Sequence, residues 1–355
     1  MRAGGPSTLT VAEALKGQHD NFTLLRLALA VAVVVSHAFS VGAGNPAAEP
    51  LYSSTGYTLG EHGVNGFFAV SGFLVAMSWD RRGGVLPFAA ARLLRVFPGF
   101  VVAVLATALA IGGAMTTLPF ADYARDGRVW RMIVVTLTTF KSATTLPGVF
   151  ESNALRWPIS TVWTLRYELI CYAALLAYGA LGGFRKPWLL LVGAAAAALT
   201  LAALAASGPI AKGPETSLRL PLIFACGALA YLYRDTLPLS IGLVVAALAT
   251  IALAGALAPA LYRPALFVGS AYLILYVALA PALALPRLEP PGDISYGVYL
   301  YGWPIQQALQ ALAPGVPGWV MLAPALALTA GIATLSWIFV EKPALSIKNR
   351  LMPPR

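Results

Sequence analysis

The chain has 355 residues, 59% of them hydrophobic and only 11% charged, with a mean hydropathy of +0.75. An average soluble domain is roughly 45–50% apolar and about 25% charged. The shortage of charge excludes a disordered chain, a collagen-like chain and an ordinary cytosolic enzyme, and leaves a polytopic membrane protein. The net charge of +10 and pI near 9.8 then reflect cytoplasmic Lys and Arg against anionic headgroups, with no nucleic-acid partner expected. Two cysteines, Cys171 and Cys226, are too few for a disulfide scaffold, and both lie in apolar runs, so neither reports on redox compartment.

A crossing helix takes about 20 mostly apolar residues. In chain order, 22–41, 64–80, 96–115, 163–182, 188–207, 218–233, 238–258, 264–285, 294–312 and 319–340 meet or approach that length. No strand-like alternation recurs, so the expected fold is all-α: a polytopic helix bundle of about ten transmembrane helices. Segment 130–140 is too short to cross and reads as an interfacial or re-entrant helix. With the N-terminus inside, fourteen Lys and Arg fall on inside segments and seven outside, five of these seven in the long loop 116–162. That bias predicts cytoplasmic N- and C-termini.

Residues 1–21 lack the apolar core and cleavage site of a signal peptide, so the first apolar stretch is expected to be a retained span. The expected organisation is a cytoplasmic segment 1–21, a single membrane domain 22–345 and a basic cytoplasmic tail 346–355. The Ala-rich runs 194–206 and 246–260 read as scaffold or lipid-facing helices.

Ionisable groups inside a bilayer are costly and call for a function. The first span carries Arg26 and His37. Eleven residues separate them, close to three helical circles, so they share one face about 16 Å apart. The fourth span opens Trp163-Thr-Leu-Arg166-Tyr167-Glu168. Its opposite direction brings Glu168 to about the depth of His37, as a general base and an orienting carboxylate require. Pairing of Glu168 with Arg166 or Arg26, purely to neutralise charge, is the simpler alternative.

The second span begins Gly66-Phe67-Phe68-Ala69-Val70-Ser71-Gly72-Phe73, where small residues among aromatics permit close helix approach. Arg92 and Arg95 follow it, three apart and on one helical face, which suits a phosphate or a lipid headgroup. Three tyrosines, Tyr296, Tyr299 and Tyr301, line the kinked ninth span as interfacial anchors or as cavity walls. The sequence contains no P-loop, Rossmann glycine pattern, zinc spacing or Gly-x-Ser-x-Gly elbow, and its remaining histidines, His19 and His62, suggest no metal site.

Taken in order, Arg26–His37, Phe67–Phe73, Arg92-Leu-Leu-Arg95, Trp163–Glu168, Ser295–Leu300 and Glu341-Lys342-Pro343 closely resemble the membrane-bound acyltransferase family 3, whose members acylate cell-envelope and exported polysaccharides. The resemblance runs from about residue 18 to 345. It implies an inner-membrane enzyme that takes an acyl group, acetyl being the expected one, from cytoplasmic acyl-CoA. The acceptor is a hydroxyl of a saccharide or lipid-linked saccharide. It also implies that His37 is the catalytic histidine, that Glu168 belongs to the active centre, and that Arg26 positions the donor while Arg92 and Arg95 hold its phosphates. Ser71, Trp163, Tyr167, Tyr296 and Tyr299 are the candidates for substrate or oxyanion contact. No metal is implied; membrane lipid is a partner, and homo-oligomers remain open. Many relatives carry a histidine at Gly302, so no role transfers there. The chain stops soon after Pro343, without the hydrolase-like domain fused to some relatives, which implies completion of transfer in the membrane part or with a partner. The competing readings are a transporter or flippase using Arg26, His37 and Glu168 as a proton relay, and a non-catalytic assembly protein.

Overall fold

A computed structural model describes residues 9–17, 20–82 and 84–351. Much of the expected segment 1–21, including His19, and the end of the tail 346–355 lie outside the described residues. In chain order the helices are α1 (Val11–Lys16), α2 (Phe22–Ala43), α3 (Pro50–Thr55), α4 (Leu59–Arg82), α5 (Val85–Leu105), α6 (Gly112–Met115), α7 (Phe120–Arg125) and α8 (Gly127–Thr139). They continue with α9 (Trp163–Ala180), α10 (Pro187–Ser207), α11 (Lys212–Leu232), α12 (Ile241–Leu257), α13 (Pro259–Leu279), α14 (Ser295–Leu312), α15 (Leu322–Ser336) and α16 (Lys342–Leu351). Two π-helical turns, Ala106–Ile111 and Trp337–Glu341, join α5 to α6 and α15 to α16. No strand occurs among the described residues, only the isolated bridges Thr10↔Pro238 and Thr116↔Val149.

All ten expected segments are helical. Among the described residues five helices are long and apolar enough to cross a membrane: Phe22–Ala43, Val85–Met115, Pro187–Ser207, Pro259–Leu279 and Leu322–Ile347. The others have a physical reason for missing that mark. Helices α4, α9, α11 and α14 carry polar side chains within their length, and α12 is apolar but only 17 residues long. Helix α13 lies earlier than the expected 264–285, because Pro259 sits in its first turn and Pro281 follows its end.

The segment expected at 130–140 is α8, 13 residues or about 20 Å long, short of a hydrocarbon core of about 30 Å. Asp126 caps its start by accepting the Arg128 N–H, and hydrogen bonds from the Arg128 side chain hold the Asp126 carboxyl below its ordinary range. Val129, Met132, Ile133 and Thr136 are buried at helical spacing, while Trp130 and Val134 face outward.

The chain groups into two compact units. The first comprises Met1–Arg26, Asn65–Phe88 and Ile170–Pro290; the second comprises Leu27–Val64, Ala89–Leu169 and Pro291–Arg355. In the first, α4 and α11 meet backbone to backbone. A Cβ on Gly72 would land on the Phe224 carbonyl, and one on Gly227 on the Ala69 carbonyl. The small residues read from the sequence therefore do the packing expected of them. The Asn21 amide donates to the Val277 and Leu283 carbonyls and accepts from Leu285 N–H, tying the start of α2 to the end of α13. Arg219, 1% exposed, shares the α11 carboxylate of Glu215 with Arg263 of α13, at 4.0 and 3.5 Å.

The core of the second unit is α14, buried continuously from Gly297 to Gln307. It packs closely on α15 where Gly297 meets Ala333 and on α2 where Gly302 meets Val34. Pro304 interrupts its hydrogen-bond ladder.

Candidate active site

In the second unit, α14 works as a ruler. Tyr296, Tyr299, Trp303, Gln306, Gln307 and Gln310 recur at three- and four-residue steps, so they form a stripe along the helix. His37 of α2 stands beside the middle of that stripe, its ring edge-on to Trp303 with centroids 5.0 Å apart. Trp303 is fixed in turn by its indole N–H, which donates to the Trp157 carbonyl at 2.8 Å. Nδ1 of His37 is buried and has no hydrogen-bond partner. The imidazole is thus oriented by packing, with one ring nitrogen uncommitted.

About seven residues, or ~10 Å, before Trp303 lies a charged cluster. Arg95 of α5 bonds Asp293 at 2.7 Å and approaches Glu341 at 3.9 Å, with its guanidinium over the Tyr296 ring. Ser295 donates to Asp293, Ser336 donates to Glu341, and Tyr296 donates to the Val96 carbonyl. The π-turn Trp337–Glu341 delivers Glu341, 2% exposed, to this cluster, as such turns often do at functional positions.

About seven residues beyond Trp303 lies a polar end. Gln306 donates to the Val34 carbonyl, and Asn153 donates to both the backbone and side-chain oxygens of Gln307. Gln307 donates to the Leu155 carbonyl, and Gln310 to the Val316 carbonyl. The long loop 116–162 is thereby threaded onto α14. Tyr299 extends the same stripe, its hydroxyl paired with Thr164 at 2.7 Å and donating to the Thr161 carbonyl.

The expected site residues divide between the two units. Arg26 and Ser71 belong to the first, and the Ser71 hydroxyl pairs with that of Tyr172 at 3.2 Å. His37, Arg92, Arg95, Trp163, Tyr167, Glu168, Tyr296 and Tyr299 belong to the second. Glu168 lies within electrostatic range of Tyr299, but makes no hydrogen bond to the uncommitted Nδ1 of His37. Trp303, against which the His37 ring packs, and Tyr299, near Glu168, are one turn apart on α14. Arg95 holds carboxylates of its own chain, which the expectation of a phosphate clamp did not include. Trp163 stands edge-on to Tyr167, over which Arg166 stacks and to whose hydroxyl it donates.

Trp303, Gln306, Gln307, Gln310 and Asn153 escaped the sequence reading. Their signal was present: three glutamines at 306, 307 and 310 inside an apolar helix.

Helices of membrane-crossing length enclosing an imidazole between a charged cluster and a polar end fit a membrane-embedded group-transfer enzyme. A family profile described as an acyltransferase domain matches residues 19–341, nearly the whole chain. The chain belongs to the membrane-bound acyltransferase family 3; it is an acyltransferase and an integral membrane protein. It is 26% identical to nodulation protein 10 of Rhizobium leguminosarum bv. viciae, across 99% of each chain. It is 24% identical to an O-acetyl transferase of Shigella phage Sf6, covering 92% of this chain and 96% of the other. To the exopolysaccharide production protein ExoZ of Rhizobium meliloti (strain 1021) it is 28% identical, covering 81% and 90%. No solved structure matches the chain.

Proposed function

We propose that this protein is an integral O-acyltransferase of a bacterial-type inner membrane. It moves an acyl group, acetyl in our reading, from cytoplasmic acyl-CoA to a hydroxyl of a cell-envelope or exported saccharide. The chain crosses about ten times, with both termini cytoplasmic. The names of the phage O-acetyl transferase and of ExoZ support acyl transfer in a polysaccharide context. The observation that carries the reading is the position of His37, midway along α14 between the Arg95 cluster and the polar end.

His37 takes the proton of the acceptor hydroxyl as the oxygen attacks the thioester carbonyl, and returns it to the leaving CoA thiolate. Arg92 attracts the anionic donor, and Arg95, braced by Asp293 and Glu341, lies three residues on along the same face of α5. Glu168 steadies the transient imidazolium through its field. Tyr296 and Tyr299 shape the wall of the site, and Trp163 and Tyr167 its acceptor side.

The test uses purified protein in liposomes with isotopically labelled acetyl-CoA and a deacylated envelope oligosaccharide. Label should reach the saccharide without any ion gradient. Saccharide movement that needs a gradient and leaves the saccharide unacylated identifies a transporter and ends this reading.

A further inference from the structure

The second unit contains a pocket of about 190 Å³ formed by the end of α2, the loop segment 152–154, Gln310 and the turn 314–317. We propose that this pocket is the acceptor subsite and that it takes a single pyranose ring, an inference that rests on the acyltransferase reading above.

Position is the first argument. Val41 lines the pocket and follows His37 on α2 by four residues, so it lies on the same face about 6 Å further along. A sugar seated there brings a hydroxyl toward the imidazole. Size is the second: the volume is below the roughly 300–1,000 Å³ of drug-sized ligand sites, which suits one ring at the end of a glycan.

Chemistry is the third. No charged side chain lines the pocket; its polar groups are Ser152, Asn153, Gln310 and backbone. Such a lining matches a neutral polyol and disfavours the anionic donor. Asn153 and Gln310 are each only 7% exposed. Their NH2 groups are committed, to Gln307 and to the Val316 carbonyl. Their carbonyl oxygens, Oδ1 of Asn153 and Oε1 of Gln310, are buried without partners. Buried acceptors in a protein are normally satisfied, and two of them fixed in one pocket await two donors. Adjacent hydroxyls of a sugar ring supply such a pair.

Two measurements test the assignment. In the first, Ser152→Cys at the exposed rim is labelled with a membrane-impermeant maleimide, beside native cysteines that are buried or half-buried. Methyl glycosides of glucose, galactose, mannose and N-acetylglucosamine serve as probes. At least one should slow labelling threefold or more, and Gln310→Ala in the same background should remove that protection. In the second, Ser152→Trp should raise the acceptor KM at least tenfold more than it changes the donor KM. Absence of protection by every glycoside, protection that survives Gln310→Ala, or an unchanged acceptor KM in Ser152→Trp overturns the subsite. If the wild type transfers no acyl group while glycoside protection persists, the acyltransferase reading fails and the saccharide subsite stands.

Discussion

The two units bury their helices by opposite means. In the first, α4 and α11 approach until backbone touches backbone at Gly72 and Gly227, and α9, α10 and α11 enclose an apolar cavity of about 230 Å³. Its ion pairs are the partly exposed Asp80 with Arg234 and the buried Glu215 shared by Arg219 and Arg263. In the second, α14 is held by a tyrosine, a tryptophan and three glutamines, each bonded to α2, α9, the long loop or the turn that follows α14. Lipid tails give helices no hydrophobic reason to associate, so close packing of small residues suffices for a scaffold. Buried amides and ion pairs cost desolvation that packing alone does not require. The first unit carries them singly, at Asn21 and at Glu215; the second strings amides along one helix beside His37.

Five variants break or sharpen that contrast. The largest effect is expected from Gly227→Leu, whose side chain collides with the Ala69 carbonyl. Folded protein should be lost, read as disappearance of the monodisperse peak in detergent chromatography; normal yield would show that α4 and α11 are not locked. Next is Arg95→Ala, which removes a cation from Asp293 and from the buried Glu341. Breaking a buried pair costs about 3–5 kcal/mol, so the melting temperature should drop clearly. Arg234→Ala in the first unit should cost under about 1 kcal/mol, since that pair is exposed. Equal costs for the two arginines would erase the contrast. Glu168→Gln should slow turnover about tenfold with the melting temperature unchanged, through loss of the field at the imidazolium; unaltered turnover would make Glu168 a charge-balancing residue. The smallest effect on the fold is expected from Arg92→Ala, which should raise the donor KM several-fold and leave stability alone. An unchanged donor KM would return Arg92 to a topological role.

Much of this was legible in the sequence. The ten apolar segments are helical, and among the described residues five helices are long and apolar enough to cross a membrane. The small residues around Gly72 became a helix crossing, and the short segment near 130–140 became the capped helix α8. Arg95, Tyr296 and Glu341 were legible as members of one motif set. Their assembly as a cluster was not, because Arg95, Asp293 and Glu341 are far apart in sequence and a π-turn sets the facing of Glu341. The glutamine stripe went unread because a search for ionisable groups passes over neutral amides, though their three- and four-residue spacing matches that of Trp303. Depth arithmetic placed His37 and Glu168 at one level; it carried no information on rotation about each helix axis, and Nδ1 of the imidazole has no partner.

The central claim is that the His37 imidazole, fixed by Trp303 and open at one nitrogen, carries the proton in acyl transfer. The most direct measurement is the transfer rate of purified His37→Ala in liposomes, alongside its melting temperature. General-base catalysis contributes typically 10²–10⁴-fold, so the account predicts a rate at least about a hundredfold below wild type in a protein that still inserts and melts cooperatively. A correctly folded variant that transfers within a few-fold of wild type would contradict it.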